Sequence, residues 1–222
     1  MLLRWGHLLA GITWIGLLYY FNFVQGEYFK EADGGAKSDA IQKLVPRALW
    51  WFRWGAMATV LTGLAILGIR GGTGSLDIYI GALLGVLMFA NVWLVIWPNQ
   101  KIVIASATQA ANGGQALPEA AEALATAGLA SRTNAMFSVP MLYFMGASTH
   151  FPHGFNFFAF LVAAIIILAL EYNGAYNALK NIGALSKLPP GGKMGPCATV
   201  KGVIHCGLGL TVVLFLIVDF IK

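Results

Sequence analysis

The chain has 222 residues, of which 58% are hydrophobic and only 10% are charged. Soluble domains carry roughly 25% charged residues, so this composition excludes an ordinary soluble protein and is typical of an integral membrane protein. The basic residues behind the formal net charge of +5 lie mostly between the apolar stretches. We therefore expect membrane lipid, and not nucleic acid, as the surrounding partner.

Hydropathy predicts one all-α domain over residues 1–222, an integral membrane bundle of about six transmembrane helices. Crossing a bilayer takes roughly 20 apolar residues, and the stretches near this length are 2–24, 45–69, 76–97, 133–150, 155–176 and 198–221. The Ala-rich stretch 102–130 is interrupted by Asn112-Gly113-Gly114 and by Pro118. This pattern predicts two short cytoplasmic helices, or cytoplasmic extensions of the third and fourth spans.

Basic residues are distributed unequally between the two sides of this predicted bundle. With six spans, one side carries Arg4, Arg70 and Lys222, whereas the other carries Lys30, Lys37, Lys43, Arg47, Arg53, Lys101, Arg132, Lys180, Lys187, Lys193 and Lys201. Loops rich in Lys and Arg stay in the cytoplasm. We therefore predict a multi-pass protein of the bacterial inner membrane with both termini in the periplasm.

The first span contains an ionisable, metal-competent side chain, His7. Gly11 and Trp14 follow at helical spacing, so all three share one helix face. A histidine in a membrane helix usually has a partner or a function, and a glycine beside it leaves a flat slot. The flat ligand suggested first is haem, since neutral imidazole is a common axial ligand of haem iron.

Two other membrane histidines also have glycines on their own faces. His150 follows Gly146 by four residues, and His205 lies between Gly202 and Gly209. The predicted cofactor-binding residues are therefore His7, Gly11, Trp14, His150 and His205. Since His7 and His150 lie at the outer end and His205 at the inner end, His7 and His150 are the predicted iron ligands, with His153 as another outer candidate. The alternative is that these glycines serve helix packing while the histidines hydrogen-bond across helices.

Other polar residues form two further candidate sites. Glu171, with Tyr172 and Asn173, shares a predicted depth with His205, and such a pair suits a proton path or a substrate pocket; interfacial anchoring is the alternative. Near the inner ends of the third and fourth spans, the predicted substrate-binding residues are Gln100, Lys101, Arg132 and Asn134, flanked by Asn99 and Thr133. Their cationic and amide donors suit a small planar anion, although positive-inside charge and a helix cap would explain them equally. A transporter that uses Glu171, Asp219 and Arg53 is a third possibility.

The two cysteines, Cys197 and Cys206, are not in a C-x-x-C arrangement. The sequence has no C-x-x-C-H motif, which excludes covalent c-type haem within these residues. Both lie on the predicted cytoplasmic side, where a structural disulfide is not expected.

Three segments carry a resemblance to a known family. HLLAGITWIG (residues 7–16), WPNQK (97–101) and SRTNAMFSVPMLYFMGASTHFP (131–152) resemble the membrane domain of the cytochrome-c-linked, PuuD-type urate oxidases. The long third segment is the most specific of them. The pattern H-x6-W-x-G alone also resembles the first helix of other small haem-associated membrane families.

The resemblance implies oxidation of urate to 5-hydroxyisourate at the membrane, with electrons passing through haem b to cytochrome c. Members of the family carry a c-type cytochrome domain after the membrane domain, and this sequence has no such motif. We therefore expect a separate cytochrome c, or a larger membrane redox complex, as the partner. The alternative is a non-catalytic accessory subunit of a respiratory or photosynthetic complex.

Overall fold

A computed structural model describes residues 1–71 and 73–221 of the chain. The predicted external charge of Lys222 therefore falls outside the described residues. All regular secondary structure in the described part is helical. Six long helices are present: α1 (Leu2–Glu31), α2 (Gly34–Ile69), α3 (Leu76–Ala111), α4 (Ala120–His150), α5 (Phe157–Gly174) and α6 (Val200–Phe220).

Three of these helices contain a π-helical segment, Tyr20–Gln25 in α1, Ala40–Leu44 in α2 and Asn91–Ile96 in α3. Because the helix continues through each segment, α1 and α2 form a long hairpin closed by a short turn after Glu31. Residues 102–111 continue α3 and residues 120–130 belong to α4, so the extensions and not the separate short helices are present, joined by residues 112–119. Between α5 and α6 lie a single-turn helix, Tyr176–Leu179, and two 3-10 turns, Gly183–Lys187 and Gly195–Ala198.

Within the described residues, five helices are long and apolar enough to cross a membrane: α1, α2, α3, α5 and α6. The sequence also predicted a span at 133–150. The corresponding helix, α4, contains polar residues such as Thr133, Asn134 and Ser138 and buries them against its neighbours. It packs against four of the other long helices, α1, α3, α5 and α6. Its polar side chains therefore face protein and not lipid.

Glycines allow two close helix contacts. An added Cβ at Gly55 of α2 would lie 3.2 Å from the backbone nitrogen of Trp14 in α1. An added Cβ at Gly207 of α6 would lie 3.0 Å from the carbonyl oxygen of Met136 in α4. Small residues permit such backbone approach between membrane helices.

The start of α1 and the end of α6 lie at the same end of the bundle. Arg4 of α1, Arg70 after α2 and Thr149 of α4 line one cavity, while the loop residue His153 contacts Asp219 near the end of α6. We call this the His7 end, after the histidine in the first turns of α1. The opposite end carries the α1–α2 turn and the α3–α4 turn.

Candidate functional site

A cavity of about 440 Å³ separates the α1–α2 hairpin from helices α3 and α4. Its lining is mainly apolar and includes His7 and Trp14 from α1, Gly63 from α2, Gly85 from α3 and Gly146 from α4. The volume lies within the roughly 300–1,000 Å³ of small-molecule and cofactor sites. We call it the His7 cavity.

The ring of His7 is fixed by α2. Its Nδ1 lies 2.9 Å from the carbonyl oxygen of Thr59 and 3.1 Å from the hydroxyl of Thr62. A carbonyl oxygen only accepts, so Nδ1 carries the proton and donates it. In a neutral imidazole this leaves Nε2 with a free lone pair, the tautomer that an orienting carbonyl sets in metal-binding histidines.

The space beside His7 comes from a glycine on the neighbouring helix. An added Cβ at Gly63 would lie 3.1 Å from the Cε1 atom of His7, so even one methyl group there would press on the ring. Gly11, the glycine that the sequence placed beside His7, faces open space. Gly63 thus makes room for the ring of His7 itself between α1 and α2, because tertiary packing and not helix spacing brings the glycine to the ring.

Trp14 lies at the inner end of the same cavity. It is buried, and among the described residues its indole Nε1–H has no hydrogen-bond partner. A buried donor without a partner in the protein is a feature that calls for explanation, such as a water or a ligand.

The α4 side of the cavity differs from the sequence-based prediction. Met141, Met145, Ser148 and Thr149 line it, whereas His150 is exposed. Sequence reasoning missed the two methionines. Both lie on the turns of α4 that precede His150. Because methionine is also a haem ligand, their thioethers were a sequence signal for a ligand of the iron.

The other two histidines lie elsewhere. His205 is exposed on α6, and its Nδ1 lies 2.7 Å from the carbonyl oxygen of Lys201 on the same helix. His153 follows α4, and its Nδ1 lies 3.0 Å from the buried carboxylate of Asp77, which also accepts the His153 backbone N–H at 2.7 Å. The Nε2 of His153 is 3.7 Å from Asp219. His153 therefore ties the loop after α4 to α3 and α6.

The suggested pairing of Glu171 with His205 is not present, because Glu171 points into the core. Its Oε2 accepts a hydrogen bond from Asn91 Nδ2 at 3.0 Å. The same Asn91 amide donates to Asn134 Oδ1 at 2.9 Å, and Asn134 donates to the carbonyl oxygen of Met88. This buried polar network joins α3, α4 and α5 at the start of the π-helical segment of α3.

The predicted substrate-binding residues are not gathered in one place. Asn134 belongs to the buried network, whereas Arg132, two residues earlier and on another face of α4, interacts with Cys197. Lys101 lies over the ring of Trp97, 5.7 Å from its centroid, and Gln100 is half-buried in the next turn of α3.

The residues of the transporter alternative are also separated. Arg53 stacks on Trp97, with its guanidinium carbon 3.4 Å from the ring centroid. Glu171 is held by Asn91 in the core, and Asp219 lies near His153 at the other end. These three side chains do not form a common path.

A family model described as urate oxidase N-terminal matches residues 72–188, which is more than half of the chain. The chain belongs to the urate oxidase N-terminal family. No curated protein and no solved structure gives a significant match. In this urate oxidase N-terminal domain, the matched segment supplies α3 and α4, one wall of the His7 cavity. The wall that carries His7 lies before it.

Proposed function

We propose that this protein of the urate oxidase N-terminal family is a redox protein of the bacterial inner membrane that binds haem b in the His7 cavity. The single observation that carries the proposal is the contact of His7 Nδ1 with the carbonyl oxygen of Thr59 at 2.9 Å. Since a carbonyl oxygen only accepts, Nδ1 donates, and Nε2 would be available to hold the iron. The sequence-based prediction of haem rests on the same histidine, and the cavity beside His7 supports the proposal.

Two features of the cavity fit this group. The volume of about 440 Å³ suits a flat, largely apolar cofactor. Two lining glycines with open space around them, Gly85 of α3 and Gly146 of α4, allow a macrocycle to approach the backbone. The indole N–H of Trp14, without a partner among the described residues, lies at the other end of the cavity from Arg4 and Arg70 and is a donor for a bound water.

Two guanidinium groups line the cavity at the His7 end. Arg4 and Arg70 belong to its lining, and guanidinium matches carboxylate geometry through paired hydrogen bonds. Both would hold the propionate carboxylates of haem b. This arrangement puts the polar edge of the cofactor toward the end that the positive-inside rule assigns to the periplasm.

For a second ligand, we propose a change from the sequence-based choice. His150 is exposed, whereas Met141 is buried and lines the cavity with Met145. A methionine of α4, Met141 first, would hold the cofactor together with His7. His/Met ligation is known in cytochromes and raises the reduction potential, which would suit transfer of electrons onward to a cytochrome c.

Haem b would supply one-electron transfer at its iron. Urate is the donor that family membership suggests, and its conversion to 5-hydroxyisourate takes up one water and releases two protons and two electrons. The acceptor would be a cytochrome c, as a domain or a protein outside these 222 residues. The separation of Arg132 from Asn134 favours a second candidate, a redox subunit that accepts electrons from a partner and has no urate site of its own.

One experiment tests both levels of this proposal. The protein is purified from cells supplied with haem precursor, its haem is quantified as the pyridine haemochrome, and the oxidised form is mixed with urate without oxygen. A Soret band and one haem b per chain are expected, and reduction by urate identifies the enzyme. Reduction by dithionite but not by urate identifies the redox subunit. Protein without a Soret band would overturn the haem proposal.

A further inference from the structure

Three sulfur-bearing side chains meet at the end of the bundle opposite His7, far from the His7 cavity. Cys197 lies in the 3-10 turn Gly195–Ala198 before α6, and Cys206 lies in the second turn of α6. The Sγ of Cys197 is 3.9 Å from the Sδ of Met136 in α4. The thiol of Cys206, on the next helix, is close enough to Cys197 to contribute to the raised pKa of the Cys197 thiol. Both cysteines are free.

The fold holds these sulfurs in place through glycines. An added Cβ at Gly202 would overlap the carbonyl oxygen of Pro196, so only glycine lets the turn Gly195–Ala198 pack against the first turn of α6. The Gly202 N–H donates to the hydroxyl of Thr199 at 3.0 Å, capping the helix. Close contact of Gly207 with the Met136 carbonyl brings the helices that carry Cys206 and Met136 together.

The ligand set selects a soft metal ion. Among the described residues no group of three or more His, Cys, Asp or Glu side chains could hold a metal, so a site here depends on the thioether. Thiolate and thioether ligands together select Cu(I). Metal–thiolate bonds of about 2.3 Å place the sulfurs of a trigonal site about 4 Å apart, and the Cys197–Met136 distance is 3.9 Å.

The charge around the sulfurs fits the same ion. Two thiolates and one Cu(I) carry a net charge of −1. The guanidinium of Arg132 interacts electrostatically with Cys197, and its buried Nη1 has no hydrogen-bond partner among the described residues. A buried charge needs a partner, and an anionic metal–thiolate centre would supply one.

We propose that Cys197, Cys206 and Met136 bind one Cu(I) ion, with Arg132 balancing its charge. Binding replaces the two thiol protons by the metal, Cu⁺ + 2 RSH giving Cu(SR)₂⁻ + 2 H⁺, with no change in oxidation state. Because binding releases two protons, the apparent affinity should rise with pH.

The test uses the full chain, reduced and kept anaerobic in detergent, and titrated with Cu(I) against a chromogenic Cu(I) chelator. We expect one Cu(I) per chain, and X-ray absorption of the wild-type complex should show a first shell of three sulfurs at about 2.3 Å. Cys206→Ser should weaken binding by more than the roughly 10–100-fold typical of losing an outer-shell partner. Met136→Leu should leave a first shell of two sulfurs, and Met57→Leu in α2 is the matched control without effect.

Several results would overturn the proposal. They are an unchanged Cu(I) affinity in the Cys197→Ser/Cys206→Ser variant, a first shell of nitrogen or oxygen in the wild-type protein, and Zn(II) binding as tight as that of Cu(I). The absorption measurement on the wild-type protein does not depend on whether any variant folds. Far-UV circular dichroism shows whether each variant retains its helices.

Discussion

The buried network of Asn91, Asn134 and Glu171 leads to a quantitative prediction. Asn91→Ala removes one amide that donates to Asn134 at 2.9 Å and to Glu171 at 3.0 Å. The three residues are 1%, 0% and 7% exposed, so water cannot replace the lost donors. Two acceptors are left unpaired, each at about 1–3 kcal/mol. The expected loss in free energy of unfolding is therefore about 2–6 kcal/mol, since unsatisfied buried groups add to one another.

The assay is equilibrium unfolding in mixed micelles with increasing dodecyl sulfate, followed by circular dichroism. Asn99→Ala is the matched control, because the partner of the Asn99 amide among the described residues is the Val95 carbonyl on its own helix. A loss under about 1 kcal/mol is expected. Hydrogen bonds between membrane helices average about 0.6 kcal/mol in double-mutant cycles. A loss below this value for Asn91→Ala, together with no coupling to Glu171→Ala, would refute the reasoning.

Three further predictions concern the His7 cavity, the His153 contact and the cysteine site. Gly63→Val places a branched side chain against His7, since a Cβ alone would lie 3.1 Å from the ring. The haem content, measured by pyridine haemochrome, should then fall at least about tenfold, which corresponds to roughly 1.4 kcal/mol. Asp77→Ala removes the acceptor of two hydrogen bonds from His153 and should lower the free energy of unfolding by about 2–4 kcal/mol in the same micelle assay. At pH 8 a thiol with a pKa of about 11, as at Cys197, is about 0.1% thiolate, whereas an unperturbed cysteine is roughly a quarter thiolate. Alkylation of Cys197, followed by mass spectrometry, should therefore be about two hundredfold slower at pH 8 than that of an unperturbed cysteine. Raising the pH to 9 should make alkylation of Cys197 about tenfold faster.

Each of these predictions has a control. Gly68→Val changes a glycine of the same helix whose Cβ would meet open space, so equal haem loss in both variants would contradict the role of the ring contact. For Asp77, the comparison is Asp219→Ala, whose longer contact with His153 predicts a smaller loss. Alkylation of Cys197 in unfolded protein gives the unperturbed rate, and an equal rate in the folded protein would contradict the raised pKa.

Hydropathy predicted the helices because each span must be apolar where it meets lipid. The same reasoning predicted a helix in the region of α4, although the composition of α4 is more polar than that of the other long helices. It could not predict the π-helical segments, such as Asn91–Ile96, which depend on how neighbouring helices pack. It also missed the extension of α1 through residue 31, because the polar residues after the span read as a loop.

The candidate site was only partly predictable. The face shared by His7 and Trp14 follows from helical spacing, and both line the cavity. Gly63 could not be found, since nothing in one sequence shows which helix lies beside His7. Helical spacing could have separated Arg132 from Asn134, because residues two positions apart face different directions. Their assignment to one substrate site used composition and ignored that direction.

The most direct test of the central claim is a titration of haem-free protein in lipid nanodiscs with haemin, followed by its Soret absorbance. The account predicts one high-affinity site per chain, lost in His7→Ala and kept in His205→Ala, a matched change of an exposed histidine on α6. Equal binding by both variants, or loss only in His205→Ala, would contradict the assignment of His7 as the ligand.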